Sequence, residues 1–263
     1  MVSKLVFGGI ALSKIEIPKD NSAGRLYHIV NVIKENHSGS NNRPFTVLAQ
    51  AFNVAAADKA TIIEKYAELF ELVKIVKEDI ATVEGINHER YLQPVNTLLE
   101  ALSSIEFNST NGLYQFIQIM NENVMTRLEF SSDMLSQKIK EDVINEDELN
   151  KLLIDVNNLI KSVSEMKINI ELKASFLKNL TNIRAAIENY SLWGSRGLQS
   201  VIESSLGSIL LRNELITSEE EVKTRKKLVE YILEFNGIIS AGKKVYDTLE
   251  PAIRFFIGTG KDE

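Results

Sequence analysis

The side chains best suited to metal chemistry in this 263-residue chain are three histidines, His28, His37 and His88. A metal site built on helices needs ligands three or four residues apart, because residues at that spacing share one helix face. None of the histidines has a second ligand-type residue at either spacing further along the chain. Cysteine, the ligand of thiolate zinc sites and iron–sulfur clusters, is absent from the sequence. The sequence therefore predicts no metal centre and no cofactor, and it excludes disulfides and cysteine nucleophiles.

Phosphate-binding loops and serine-nucleophile elbows are also missing from the sequence. Both kinds of motif use glycine where the backbone must approach a phosphate or turn sharply. The nearest feature is segment 194–197, in which Gly194, Arg196 and Gly197 precede a predicted helix. The start of a helix can hold an anion, and Arg196 would add positive charge. We expect a tight turn between two helices here, with an anion site as the alternative.

Five residues are candidates for contact with a partner. Trp193 is the only tryptophan of the chain, and Arg196 follows it in the same segment. We expect Trp193 to be a buried corner between helices; if it is exposed, it becomes a partner contact. Lys243, Lys244 and Arg254 form a basic group near the C-terminal end. That group is either a solvated face or a contact for acidic lipid, nucleic acid or a partner protein.

The charge of the chain bears on its partners. The formal net charge is −6, and the sequence pI is near 5.4. Proteins that bind nucleic acid in general carry a basic surplus, so the charge argues against that class. The absence of cysteine fits a cytoplasmic protein, which is the location we expect.

Nearly every segment repeats its apolar residues with the period of an α-helix. No alternation of strands with helices appears, which disfavours the sheet-based nucleotide folds. The pattern predicts an all-α fold, an elongated bundle of about eight or nine mostly antiparallel helices with coiled-coil-like packing. We expect a single domain over residues 1–263, with a potential boundary at the turn-rich segment 107–112.

The most regular pattern is an apolar seam in the helix predicted after Asp58, a residue suited to capping a helix start. The seam has heptad spacing and is followed by Gly85, a residue type common just past helix ends. We favour packing of this seam within the chain, because other apolar stripes of the same chain are held close by short loops. Self-association of two chains through the seam is the alternative. The seam residues are Ile62, Tyr66, Leu69, Val73, Val76, Ile80 and Val83.

Segment 169–211 predicts an antiparallel helical hairpin with an aromatic corner. One apolar stripe ends at Tyr190 and a second begins at Leu198. Gly194 is expected to end the first helix, since glycine readily takes the positive φ of a helix C-cap. Two further helix starts carry capping boxes, at Asn145–Glu148 and Ser218–Glu221. A long helix is predicted from residue 113 to about residue 139.

The apolar segments near the two ends raise the question of a membrane. Segment 5–12 is too short and lacks the cleavage pattern of a signal peptide. No stretch approaches the roughly 20 apolar residues that a spanning helix needs. Glycine-containing apolar pieces at 5–12, 235–242 and 255–258 nevertheless support the alternative of a pore-forming, membrane-active helical protein.

These observations lead to three classes of function. We expect a non-enzymatic helical module that binds another protein, as a scaffold, an inhibitor or a small component of a multi-protein bacterial system. The first alternative is the membrane-active protein. The second is an enzyme whose site is assembled from scattered residues that carry no recognisable motif.

Overall fold

A computed structural model describes residues 6–7, 10–11, 17–37, 43–211, 216 and 218–239. In this part of the chain, ten α-helices account for almost all regular structure, beside one pair of two-residue strands. The all-α prediction is confirmed, as is the packing of helix on helix that defines a multi-helix bundle. The contacts divide the chain into two compact units, Met1–Lys140 and Glu141–Glu263. The segment 107–112 lies inside the first unit, and the expectation of a single domain stays a prediction.

The first unit contains the two strands and six helices. Strand β1 pairs with strand β2 in antiparallel orientation. The strands are β1 Val6–Phe7 and β2 Ile10–Ala11, and the helices are α1 Ser22–Asn36, α2 Pro44–Ala51, α3 Lys59–Thr82, α4 His88–Ser103, α5 Tyr114–Ile119 and α6 Glu122–Lys138.

Four of these helices form a closed ring in which α1 contacts α6, α6 contacts α4, α4 contacts α3 and α3 contacts α1. The hydrogen bonds give the directions. Asn21 of the α1 cap bonds Ser132 of α6, whereas Lys34, at the other end of α1, bonds Glu122 at the start of α6. The two helices therefore run antiparallel. The pairs Gln93–Arg127 and Tyr91–Ser131 show the same for α4 and α6.

The 62–83 seam lies along α3 and its C-cap Val83 and faces the interior of this ring. Six of its seven residues are buried, between 0% and 5% exposed, and Tyr66 is partly buried. Tyr66 donates a hydrogen bond to the carbonyl of Leu102 in α4, so the two helices form an antiparallel pair. The turn between them contains Gly85, whose φ of 77° is the left-handed conformation expected after a helix end. This burial by the chain's own helices favours the interpretation that the seam packs within one chain.

The second unit is a succession of helices in which each packs on the next along the chain. Asn179 bonds Ser208 at 3.2 Å, so α8 and α9 pair symmetrically about Gly194. The predicted antiparallel hairpin is therefore present, and both of its apolar stripes face the core. The four helices are α7 Glu146–Glu165, α8 Ile170–Glu188, α9 Tyr190–Leu211 and α10 Glu219–Ile239.

Two boundary predictions need correction. The helix predicted over 113–139 is split into α5 and α6, because the Asn121 side chain accepts the backbone N–H of Val124 at 3.2 Å and caps a new helix. Gly194 does not end α8, which stops at Glu188 with Asn189 as its C-cap. Gly194 instead forms a kink inside α9, with φ 66°.

The capping predictions are confirmed. The Asp58 carboxylate accepts the N–H of Thr61 at 3.2 Å. In each predicted capping box the cap side chain and the glutamate bond each other's backbone N–H, as Asn145 with Glu148 and Ser218 with Glu221 show. Local side-chain hydrogen bonds therefore fix three of the helix starts.

Within the described residues, no helix is long and apolar enough to cross a membrane. Of the apolar end segments, residues 6–7 and 10–11 are the strands, and 235–239 belong to α10. The remainder of those segments lies outside the described residues, as does the stripe predicted after Tyr246.

Candidate functional site

The outer surface of the ring carries an open groove between α4 and α6, with a volume of about 620 Å³. We call this cavity the α4–α6 groove. Its volume lies within the range typical of ligand sites, roughly 300–1,000 Å³. The residues that line it are Asn87, Glu89, Arg90, Tyr91, Gln93, Asn123, Thr126, Arg127 and Phe130.

Helix α4 forms one wall of the groove. Its start is fixed by Asn87, whose side chain accepts the N–H of Arg90 at 3.3 Å. Val95 and Leu98 are fully buried and hold the inner face of α4 in the ring. Because a helix turns 100° per residue, Arg90 and Gln93 project from the opposite, exposed face.

Helix α6 forms the other wall. Met125 and Leu128 anchor its inner face, being 4% and 0% exposed. Arg127 and Phe130 lie three residues apart on the outer face, and Phe130 is 50% exposed. A half-exposed phenylalanine on the wall of a groove leaves apolar area in water, and a bound side chain would bury it.

Hydrogen bonds join the two walls. The Arg127 guanidinium donates to the Gln93 side-chain oxygen across the groove. One turn further along, Ser131 Oγ donates to the carbonyl oxygen of Tyr91 at 3.3 Å. The walls are therefore held in register, and the groove is preformed.

The groove carries a local positive surplus. Arg90 and Arg127 contribute two guanidinium groups, against the single carboxylate of Glu89. In the part of the chain that the structure describes, neither arginine makes an ion pair with a carboxylate. The chain as a whole has a net charge of −6, so this surplus runs against the overall balance.

A second, smaller cavity of about 290 Å³ lies between the ends of α3 and α6. Glu84 and Lys138 line it with opposite charges, and it contains no aromatic side chain. It therefore offers neither the charge surplus nor the exposed ring of the α4–α6 groove.

The polar groups buried in the first unit join helices to one another. Asn21 caps α1 and donates to the backbone oxygen of Ser132 at 3.1 Å. Ser22 Oγ donates to an oxygen of Asp79 at 2.5 Å, and Ser136 Oγ donates to Asp20 at 2.9 Å. These side chains are hydrogen-bonded and, apart from the partly buried Ser136, buried, so we assign them to the packing of α1 on α3 and α6.

The structure brings Trp193 and Arg196 to the kink of α9. Trp193 packs against the core of the second unit but is only partly buried, so the burial expected of it is met in part. The Arg196 guanidinium is bonded to the buried carboxylate of Glu141 at 3.1 Å. The Tyr190 hydroxyl accepts the backbone N–H of Ile144, and Ser195 Oγ donates to the carbonyl oxygen of Asp142. This ion pair between Arg196 and Glu141 holds the segment before α7 against the kink of α9.

The remaining predicted contacts, Lys243, Lys244 and Arg254, lie outside the described residues. Their role as partner contacts stays a prediction.

Several titratable groups outside the groove have shifted pKa values. Burial raises the pKa of the Tyr66 phenol to about 12. Burial also raises the pKa of Glu68 and lowers the pKa of Arg225, because each charged form loses solvation. Hydrogen bonds from Thr61 lower the pKa of Asp58. None of these groups lines the groove.

Over the described ranges, no group of three or more histidine, aspartate or glutamate side chains is placed to hold a metal ion. Comparison with protein-family models, curated proteins and solved structures finds no match to this chain.

Sequence reasoning missed the groove. Arg90 and Arg127 are far apart in the chain and lie on different helices. Their helices, α4 and α6, are in contact but are not consecutive, since α5 comes between them in the sequence. A local signal was nevertheless present. Arg127 and Phe130 share the face of α6 opposite the apolar stripe, where an exposed aromatic residue is unusual.

Proposed function

We propose that the protein is a non-enzymatic helical module that binds another protein through the α4–α6 groove. It would act as a scaffold, an inhibitor or a small component of a multi-protein bacterial system, in the cytoplasm. The observation that carries the proposal is the half-exposed ring of Phe130 in a preformed groove that also presents two arginines. Aromatic residues and arginine are the types that contribute most to protein–protein binding energy.

The fixed walls of the groove support this proposal further. Cross-groove bonds from Arg127 and Ser131 hold α4 and α6 in place before any partner arrives. A preformed site loses less conformational entropy on binding, so more of the contact energy appears as affinity. The polar lining is also suited to a hydrated rim around an aromatic anchor.

A peptide selection on the intact protein tests the proposal. Random peptides displayed on phage are selected against the protein, and the affinity of each selected peptide is measured by fluorescence anisotropy. We expect Phe130→Ala to weaken the groove-binding peptides about tenfold or more, the size of an interface hot spot. Phe130 is half exposed, so its replacement should leave the thermal melt almost unchanged.

Ile154→Ala is the matched control for this experiment. Ile154 is an exposed apolar residue of α7, 61% accessible, and it belongs to the second unit and not to the lining of the groove. The proposal is contradicted if no peptide is enriched, or if the enriched peptides bind Phe130→Ala as tightly as the wild type.

A further inference from the structure

The charges of the α4–α6 groove narrow the chemistry of its occupant, on the condition that the proposed docking function is right. We infer that the groove binds an acidic segment of a partner protein, with carboxylates at Arg90 and Arg127 and an apolar side chain against Phe130. The groove has two guanidinium groups without a carboxylate partner among the described residues, and one acidic side chain, Glu89. Guanidinium groups bind carboxylates with two parallel hydrogen bonds, which makes this pairing geometrically specific.

The order of these groups along the groove follows from the hydrogen bonds between its walls. Arg127 lies level with Gln93, to which it is bonded. Ser131 lies level with Tyr91, so Phe130 and Arg90 occupy the next level. Three residues of helix separate the two levels, about 4.5 Å along the axis at 1.5 Å per residue.

A matching segment therefore carries a carboxylate within about one helical turn of an apolar side chain, at 5.4 Å per turn. The Arg127 level takes the carboxylate, and the Phe130 level takes the apolar group. Arg90 lies at the second level and offers a position for a second carboxylate. Acidic segments with interspersed leucine or phenylalanine have this composition.

The same charges disfavour a nucleic acid as the occupant. A polyanion experiences the net charge of the whole chain, which is −6, and repulsion from Glu89 within the groove. A short peptide with two carboxylates carries fewer negative charges than a polyanion, so it meets less of the long-range repulsion and can still pair with the two arginines of the groove. Charge complementarity thus selects the acidic peptide.

The binding is expected to depend on salt. Both arginines are exposed at the rim, and exposed ion pairs contribute little individually and are screened by added ions. Specificity for acidic sequences should consequently be strongest at low ionic strength, with the contact to Phe130 persisting at high salt.

Three synthetic peptides test the inference by fluorescence anisotropy on the full chain. One alternates glutamate with leucine, the second has lysine in place of each glutamate, and the third has glutamine there. We expect the acidic peptide to bind at least tenfold more tightly than the lysine peptide at low salt. We expect Arg90→Gln with Arg127→Gln to abolish that preference.

The control variant replaces two exposed lysines of α7, as Lys151→Gln with Lys161→Gln. It removes the same positive charge from the second unit and should preserve the preference. Equal binding of the three peptides to the wild type would overturn the inference. So would an unchanged preference in the double arginine variant, or stronger competition by a single-stranded oligonucleotide than by the acidic peptide.

Failure of the inference can be told apart from failure of the proposed function. If the selected peptides need Phe130 but are neutral or basic, the groove docks protein and the acidic assignment is wrong. If binding of the acidic peptide is unaffected by Phe130→Ala and by both arginine substitutions, the groove is not the docking site. If light scattering shows a dimer that Arg127→Gln dissociates, the occupant is a second copy, which also overturns the inference.

Discussion

Gly197 and Gly207 both lie in α9, but Gly197 is crowded by a neighbouring side chain and Gly207 has open space beside it. A Cβ added at Gly197 would lie 2.5 Å from the Cβ of Trp193, at the root of the indole side chain. A Cβ added at Gly207 would meet nothing within 4 Å. Because the contact at Gly197 is close to backbone, it cannot be relieved by rotating a flexible side-chain end.

This contrast predicts opposite signs for the same substitution. Gly207→Ala should raise the free energy of unfolding by about 0.5–1 kcal/mol, the helix preference for alanine over glycine. Gly197→Ala should lower it by about 1–3 kcal/mol, the usual cost of overpacking. Urea unfolding followed by circular dichroism measures both. A stabilised Gly197→Ala would mean that Trp193 is not packed against this position.

Tyr66 gives a prediction at alkaline pH. Burial raises the pKa of its phenol from 10.0 to about 12, so the folded state favours the protonated form. That contribution to stability is complete below pH about 10 and is lost as the pH rises through about 12. Tyr66→Phe should weaken this alkaline loss of stability, measured as urea midpoints across that pH range.

At neutral pH, Tyr66→Phe should cost about 0.5–1.5 kcal/mol, because the hydrogen bond from the Tyr66 hydroxyl to the carbonyl of Leu102 is lost, although that carbonyl still accepts the N–H of Ile105. Tyr114→Phe is the control, since Tyr114 is 61% exposed and its replacement should change neither quantity. Identical pH profiles for the wild type and Tyr66→Phe would contradict the prediction.

Among single residues, the helix caps can be predicted from the sequence and the groove residues cannot. The sequence predicts Asp58, Asn145 and Ser218 as caps, because a cap side chain bonds the backbone within three residues of itself. The groove was not predictable in that way. Arg90 and Arg127 become neighbours only through the closing of the four-helix ring, which no local spacing encodes.

At the scale of elements, the helical spacing of apolar residues predicts most of the helices and which face of each is buried. The prediction failed at two helix ends. Asn121 caps α6 and so divides an apolar stripe that predicts one continuous helix. Asn189 ends α8 before Gly194, the predicted end. At Asn121 a side chain satisfies a backbone N–H at the helix start, which periodicity does not register. At the end of α8 the backbone N–H of Asn189 bonds the carbonyls of Ala185 and Ile187.

Helix α3 carries the test of the seam. Val76 is fully buried, so Val76→Asp places a carboxylate among apolar side chains. Burying this charge without a hydrogen-bond or ion-pair partner costs several kcal/mol of stability. We expect it to unfold the first unit, seen as lost helicity. Ile63→Asp, on the same helix at 43% exposure, should change stability by less than about 0.5 kcal/mol.

Size-exclusion chromatography with light scattering distinguishes the two hypotheses for the seam. A seam that packs within the chain gives the wild type the same mass as Ile63→Asp, with only Val76→Asp unfolded. A folded monomer of Val76→Asp from a dimeric wild type would show that the seam joins two chains.

At the scale of the whole molecule, the groove differs in charge from the rest of the chain. A surface with a net charge of −6 keeps nucleic acid and acidic proteins at a distance in general. On the proposal of an acidic partner, the local surplus at Arg90 and Arg127 would admit acidic segments that also offer an apolar group to Phe130. Specificity would therefore arise from attraction in the groove and repulsion elsewhere.

The most direct test of docking in the groove is an amide chemical-shift map of the 29.6 kDa protein with the acidic leucine peptide added. The largest shifts should fall in residues 87–93 and 123–130, on the two walls of the groove. Helices α7 and α8 should show almost no shifts, and Phe130→Ala should remove the effect. Shifts concentrated in the second unit, or spread evenly along the chain, would contradict the account.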